Sequence, residues 1–177
     1  VVISPTPRLY DRAHRALCEE AGQFSPRVER AGPGHVFVDL TGTERLLGDP
    51  VDTGARFQRV VREKYRLNGA VGVATNKLMS KVATRVIDPT GLCRVMAGCE
   101  PDFLAPLPVR VLPGIDGVIL HRIMQFNIYC INELLGIAEP QLRRVFGAQG
   151  SDVFRCARGI DDSPVRTVGE PVPTVSE

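Results

Sequence analysis

Residues 72–91 read GVATNKLMSKVATRVIDPTG, and the succession of residue types around this stretch decides the fold class. Ala70 to Ala74 (AVGVA) is short, apolar and bounded by turn residues, the pattern of a buried strand. Thr75 or Asn76 can cap a helix starting at Lys77, because a short polar side chain there accepts from the free amides of a helix's first turn. The spacing predicts that helix from Lys77 to Val86 and a further strand from Gly91 to Met96.

Toward the N-terminus, Val51 to Leu67 has helical spacing through Val51, Ala55, Val60, Val61 and Tyr65. Before it, Arg27–Ala31 and His35–Leu40 flank Gly32-Pro33-Gly34, which predicts a β-hairpin. Arg8 to Ala21 places Leu9, Ala13, Ala16 and Leu17 on one helical face, with Pro7 suited to its start. The opening residues, VVIS, read as a strand and as a piece of a longer protein. Toward the C-terminus, β signals largely stop after the prolines of 104–109. Short helices are predicted at Val118–Phe126, Cys130–Leu135, Pro140–Phe146 and Ser151–Arg158. The expected class is α+β: a mixed or antiparallel sheet with helices on one face over 1–105, and a small all-α domain over 106–163. Residues 164–177, rich in Pro, Val and Thr, read as an extended linker.

The chain has 177 residues, 44% of them hydrophobic, enough for a real core in one domain or two small ones. No run approaches the roughly 20 apolar residues of a membrane span, and VVISPTP lacks the features of a signal peptide. A cytoplasmic protein without membrane contact is expected. Net charge is +2, with 15 Lys and Arg against 12 Asp and Glu in residues 1–105, and 7 against 8 in 106–177. That balance does not by itself point to nucleic acid. Cys18, Cys93, Cys99, Cys130 and Cys156 are odd in number and never spaced CxxC, so buried thiols are expected rather than disulfides or zinc. His14 and His121 read as surface or satisfied core residues.

Four segments carry a resemblance. They are VFVDLTG (36–42), GVATNKLMSKVATRVIDPTG (72–91), LPVRVLPGIDGVILHRIMQFNIYCINELL (107–135) and FGAQGSDVFRCARGIDDSPV (146–165). In that order and spacing they resemble the palm and thumb of Y-family translesion DNA polymerases of the DinB/UmuC type. The resemblance implies that the first palm strand, the fingers and the little-finger domain lie outside this chain. It also implies a helix-hairpin-helix in the thumb, at PGIDG (113–117).

Nucleotidyl transfer needs two divalent metals clamped by clustered carboxylates. The family strand reads Ser-x-Asp-Glu-Ala-Tyr-Leu-Asp. Aligned through Phe37 and Asp39, it puts Gly34 and His35 at the positions of the adjacent Asp and Glu. Glycine offers no ligand, and imidazole suits Mg²⁺ poorly. Asp39 is the remaining metal candidate, against the simpler reading of a strand-end Asp bonding a nearby amide or Arg. The resemblance also makes Asn76, Lys77 and Lys81 phosphate- or nucleotide-facing, Lys77 and Lys81 sharing a helix face. Gly114 and Ile115, with Gly117 one residue late, stand at the hairpin that in the family grips a DNA backbone phosphate, and Asp116 is set where the phosphate belongs.

The residues and the resemblance together support three functional readings. The first is a catalytically silent adaptor in DNA-damage tolerance, similar to the ImuB-type branch, with no cofactor held by this chain. Its implied partners are primer–template DNA, the sliding clamp and an active polymerase, the last two reached through regions outside the chain. The second is an active, Mg²⁺-dependent error-prone polymerase whose ligands are completed elsewhere. The third is a protein scaffold without DNA binding. A monomer is expected.

Overall fold

The computed structural model describes residues 6–115 and 117–167. The strand expected at residues 1–4, Asp116 and most of the linker expected at 164–177 lie outside the described residues. The chain divides into two compact units, residues 69–163 in one, residues 1–68 with 164–177 in the other.

The first unit holds α1 (Pro7–Ala21), β1 (Val28–Gly32), β2 (His35–Val38), α2 (Glu44–Leu47) and α3 (Pro50–Tyr65). Proline opens both long helices, where its missing amide leaves no intrahelical bond unmade. Asp49 caps α3 by accepting from Val51 N at 2.7 Å. β1 and β2 form the expected antiparallel hairpin, Val28 facing Val38 and Arg30 facing Val36, with an irregularity between Arg30 and Gly32. α1 packs on this hairpin and on α3. Buried Glu20 on α1 ties the two helices together, accepting from Lys64 Nζ and from Tyr65 Oη, the latter at 2.7 Å. Phe24 meets Phe57 edge to face at 5.7 Å.

The second unit holds β3 (Val71–Val73), α4 (Lys77–Arg85), β4 (Leu92–Arg94) and α5 (Glu100–Leu104). A 3₁₀ turn (Val109–Val111) comes next, then α6 (Gly117–Gln125), α7 (Ile131–Leu135), α8 (Glu139–Phe146) and α9 (Gln149–Ala157). β3 and β4 run parallel, Val71 beside Leu92 and Val73 beside Arg94, which requires a crossover that α4 supplies. Gly72 lets α4 lie close, since a Cβ there would sit 2.2 Å from the Ser80 carbonyl oxygen. Fully buried Met79 and Val82 from α4 share one core with Leu104, Ile123, Ile131 and Val153.

The α+β class stands, but the strands do not make one sheet: among the described residues they form a two-stranded antiparallel ladder in one unit and a two-stranded parallel ladder in the other. β3 is half-buried rather than buried. The buried core of this unit includes residues on both sides of residue 106, Leu104 and Val109 among them. α2, α5 and the 3₁₀ turn are too short to show a periodicity and escape the sequence reading. The thiols are also less hidden than expected: Cys99 is exposed, the other four are half-buried, and all five are free. His14 is buried with Nδ1 unpartnered among the described residues, so it is not a satisfied core histidine. His121 is exposed and lies 3.3 Å from Gln125 Nε2.

Candidate nucleic-acid interface

Gly34 and His35 fall at the tip of the β1–β2 hairpin. Gly34 has φ +75°, a turn conformation that L side chains resist, and His35 opens β2 with its side chain exposed. Asp39 comes just after the strand, and its carboxylate is committed locally. Oδ1 accepts from Thr41 N at 2.9 Å, and Oδ2 accepts from Arg27 Nη1 at 3.2 Å. Hydrogen bonding from Thr41, then from Arg27, lowers its pKa against the opposing effect of burial. Asp39 thus bonds a nearby backbone amide and an arginine. Among the described residues, no three His, Cys, Asp or Glu side chains converge to hold a metal. The hairpin does not fit Mg²⁺, which requires clustered oxygen ligands.

In the second unit, Asn76 caps α4, its Oδ1 accepting from Met79 N at 2.9 Å while Nδ2 donates to Gly159 O at 2.8 Å. Its amide is thus occupied by the fold. A second cap comes from far along the chain, Asp161 Oδ2 accepting from Leu78 N at 3.0 Å. Sequence reasoning missed this role for Asp161, although the ARGIDD run of the fourth segment contains it. Arg158, in the same run, donates to the Leu135 carbonyl at 2.8 Å and lies 3.6 Å above the Phe154 ring. Gly159 has φ +71°, and a Cβ on it would meet Met79 Sδ at 2.8 Å and Glu100 Cβ at 2.9 Å, so only glycine passes.

Lys77 and Lys81 are half-buried on α4, four residues apart, with Arg85 one turn further. Burial, then the charge of Arg85, lowers the Lys81 pKa. Arg85 Nη1 donates to the Val111 carbonyl at 2.7 Å. In the PGIDG segment, Gly114 is exposed with φ +81°, Ile115 packs on the core, and Gly117 starts α6. Asp116 lies outside the described residues. The element before this turn is a single 3₁₀ turn rather than an α-helix.

The impB/mucB/samB family profile matches residues 1–85. A DNA polymerase IV of Dehalococcoides mccartyi is 30% identical over 170 residues, covering 96% of this chain and 44% of that protein. One from Moorella thermoacetica is 32% identical over 165 residues, covering 93% of this chain and 41% of that protein. The chain thus spans less than half the length of these relatives. Among solved structures, DinB from Sulfolobus solfataricus superposes with a TM-score of 0.81 at 21% identity, covering 93% of this chain and 49% of that one. An insertion ternary complex of Dbh DNA polymerase gives the same TM-score, 0.81, covering 93% of this chain and 48% of that one. By sequence and by fold alike, the chain resembles a segment of Y-family DNA polymerases, its residues 1–85 matching the impB/mucB/samB family.

Proposed function

We propose that the protein works in DNA repair as a Y-family homologue that does not itself polymerise, resembling the ImuB-type branch and serving as an adaptor in damage tolerance. The hairpin tip carries this reading: Gly34 and His35 stand where the resemblance calls for adjacent carboxylates, and the Asp39 carboxylate is bonded to Thr41 and Arg27. In this reading residues 1–105 are the palm, 106–163 the thumb, and 164–177 lead toward a further domain. Primer–template DNA is the ligand, a choice supported by relatives called DNA polymerase IV and a neighbour titled as a ternary complex. Asn76, Lys77 and Lys81 flank its phosphates, and the hairpin of Gly114, Ile115 and Gly117 grips its backbone. The sliding clamp and an active polymerase are the partners, through regions outside this chain. The protein is placed in the cytoplasm as a monomer. No helix of the described residues is long and apolar enough to cross a membrane.

The test is primer extension by the full-length protein with dNTPs and Mg²⁺. Binding of primer–template without extension, and gain of metal-dependent extension on Gly34→Asp with His35→Glu, supports the adaptor. Extension by the unaltered protein overturns it in favour of an active polymerase with ligands completed elsewhere, the second reading, which the names of the relatives favour. Absence of DNA binding leaves the scaffold.

A further inference from the structure

The second unit carries a run of cationic and aromatic side chains, from half-buried Lys77 and Lys81 to exposed Arg110, Phe126 and Tyr129, on segments that its backbone links. Lys77, Lys81 and Arg85 recur every fourth residue on α4, about 6 Å of helix rise apart, and so form a stripe. The stripe ends at the 3₁₀ turn, where Arg85 bonds the Val111 carbonyl. The middle residue of that turn, Arg110, is exposed. Its neighbour Val109 donates its amide to the Tyr129 carbonyl at 2.9 Å, and Pro108 bridges Cys130. Arg110 and Tyr129 therefore stand on two paired segments. Tyr129 is 53% exposed and Phe126 57%, with Asn127 at φ +57° turning the chain between them. The nearby Glu133 carboxylate is turned onto the amides of Tyr129 and Cys130, at 2.7 and 2.8 Å.

Exposed rings on a segment paired through its backbone with one that carries an exposed arginine match a particular ligand. Cations neutralise phosphates, and an aromatic face stacks on a base whatever its sequence. A duplex offers no such face, because its bases stack on one another. We propose that this surface binds an unpaired nucleic-acid strand, with Lys77, Lys81, Arg85 and Arg110 along the phosphates and Tyr129 and Phe126 against the bases. The inference rests on nucleic acid being the protein's ligand, and adds its strandedness and the residues that read it.

The experiment is fluorescence anisotropy of the full-length protein with labelled oligothymidylate and with a duplex of equal length, at two salt concentrations. Phe126→Ala with Tyr129→Ala is expected to weaken oligothymidylate binding about tenfold or more and leave the duplex unchanged. Tyr129→Phe, which keeps the ring, retains the affinity. Arg110→Ala is expected to flatten the salt dependence. Unchanged melting temperatures exclude unfolding as the cause of any loss. Equal losses on both oligonucleotides, or none on the single strand, overturn the inference while leaving the proposed function standing. Failure of the parent protein to bind either oligonucleotide overturns both.

Discussion

Asp161 Oδ2 accepts a 3.0 Å hydrogen bond from the amide of Leu78, 83 residues earlier in the chain. The carboxylate occupies the positive end of α4, the helix bearing Lys77 and Lys81, where an anion is favoured. Its other oxygen, Oδ1, accepts from Ser163 N at 3.0 Å. The segment after α9 is thereby fastened to the start of α4 rather than left as a free tail.

Asp161→Ala is expected to destabilise the protein by about 1–2 kcal/mol, the usual cost of a lost N-terminal cap. Asp161→Asn, which keeps an acceptor, should cost less. Urea unfolding curves on both variants check the order, and equal losses would locate the effect in charge rather than in the hydrogen bond.

Gly159→Ala combines an unfavourable φ with overlap of Met79 and Glu100, and is expected to cost about 2–4 kcal/mol. Met79→Ala alone should cost about 2–5 kcal/mol through the cavity it leaves in a fully buried site. Because Met79 Sδ is one of the atoms in the way, the double variant should be less unstable than the sum. A double-mutant cycle measures that coupling.

Acidification should destabilise the first unit in two stages. His14, facing Arg30 on β1 and sharing α1 with Asp11 and Cys18, has its pKa lowered by burial first and by Arg30 second. The unfolded chain therefore takes up this proton before the folded one does. The contribution is complete above the unfolded value near 6.5 and is lost as pH falls below it. Glu20 has its pKa lowered by hydrogen bonds from Lys64 and then Tyr65. Its contribution is complete above the unfolded value near 4.5 and is lost as pH falls toward the folded one. Melting temperatures from pH 8 to 3 should show both steps. His14→Leu should abolish the upper and Glu20→Gln the lower.

Arg27→Ala breaks an ion pair whose Arg27 side chain is 68% exposed, so a loss of at most about 1 kcal/mol is expected. Asp39→Ala should cost more, because it also leaves the Thr41 amide without its 2.9 Å acceptor. If Asp39 is instead a metal ligand, the melting temperature of the parent protein will rise with Mg²⁺ and that of Asp39→Ala will not.

Much of this protein is legible in the residues themselves, because the signals are local. The helices from Pro7, Pro50 and Lys77 and the Gly32-Pro33-Gly34 hairpin are set by periodicity, proline placement and turn chemistry, each acting within a few residues. Asn76 could be read as a cap for the same reason. Contacts between distant segments were not legible. Nothing near Asp161 says that its acceptor serves Leu78, nothing in α1 says that Glu20 meets Lys64 and Tyr65, and nothing in FNIY says that the Tyr129 carbonyl accepts from Val109. The choice of two separate ladders over one sheet was likewise decided by tertiary structure. Strand propensity marks which segments can pair, whereas pairing partners are set by the packing that brings segments together across the chain.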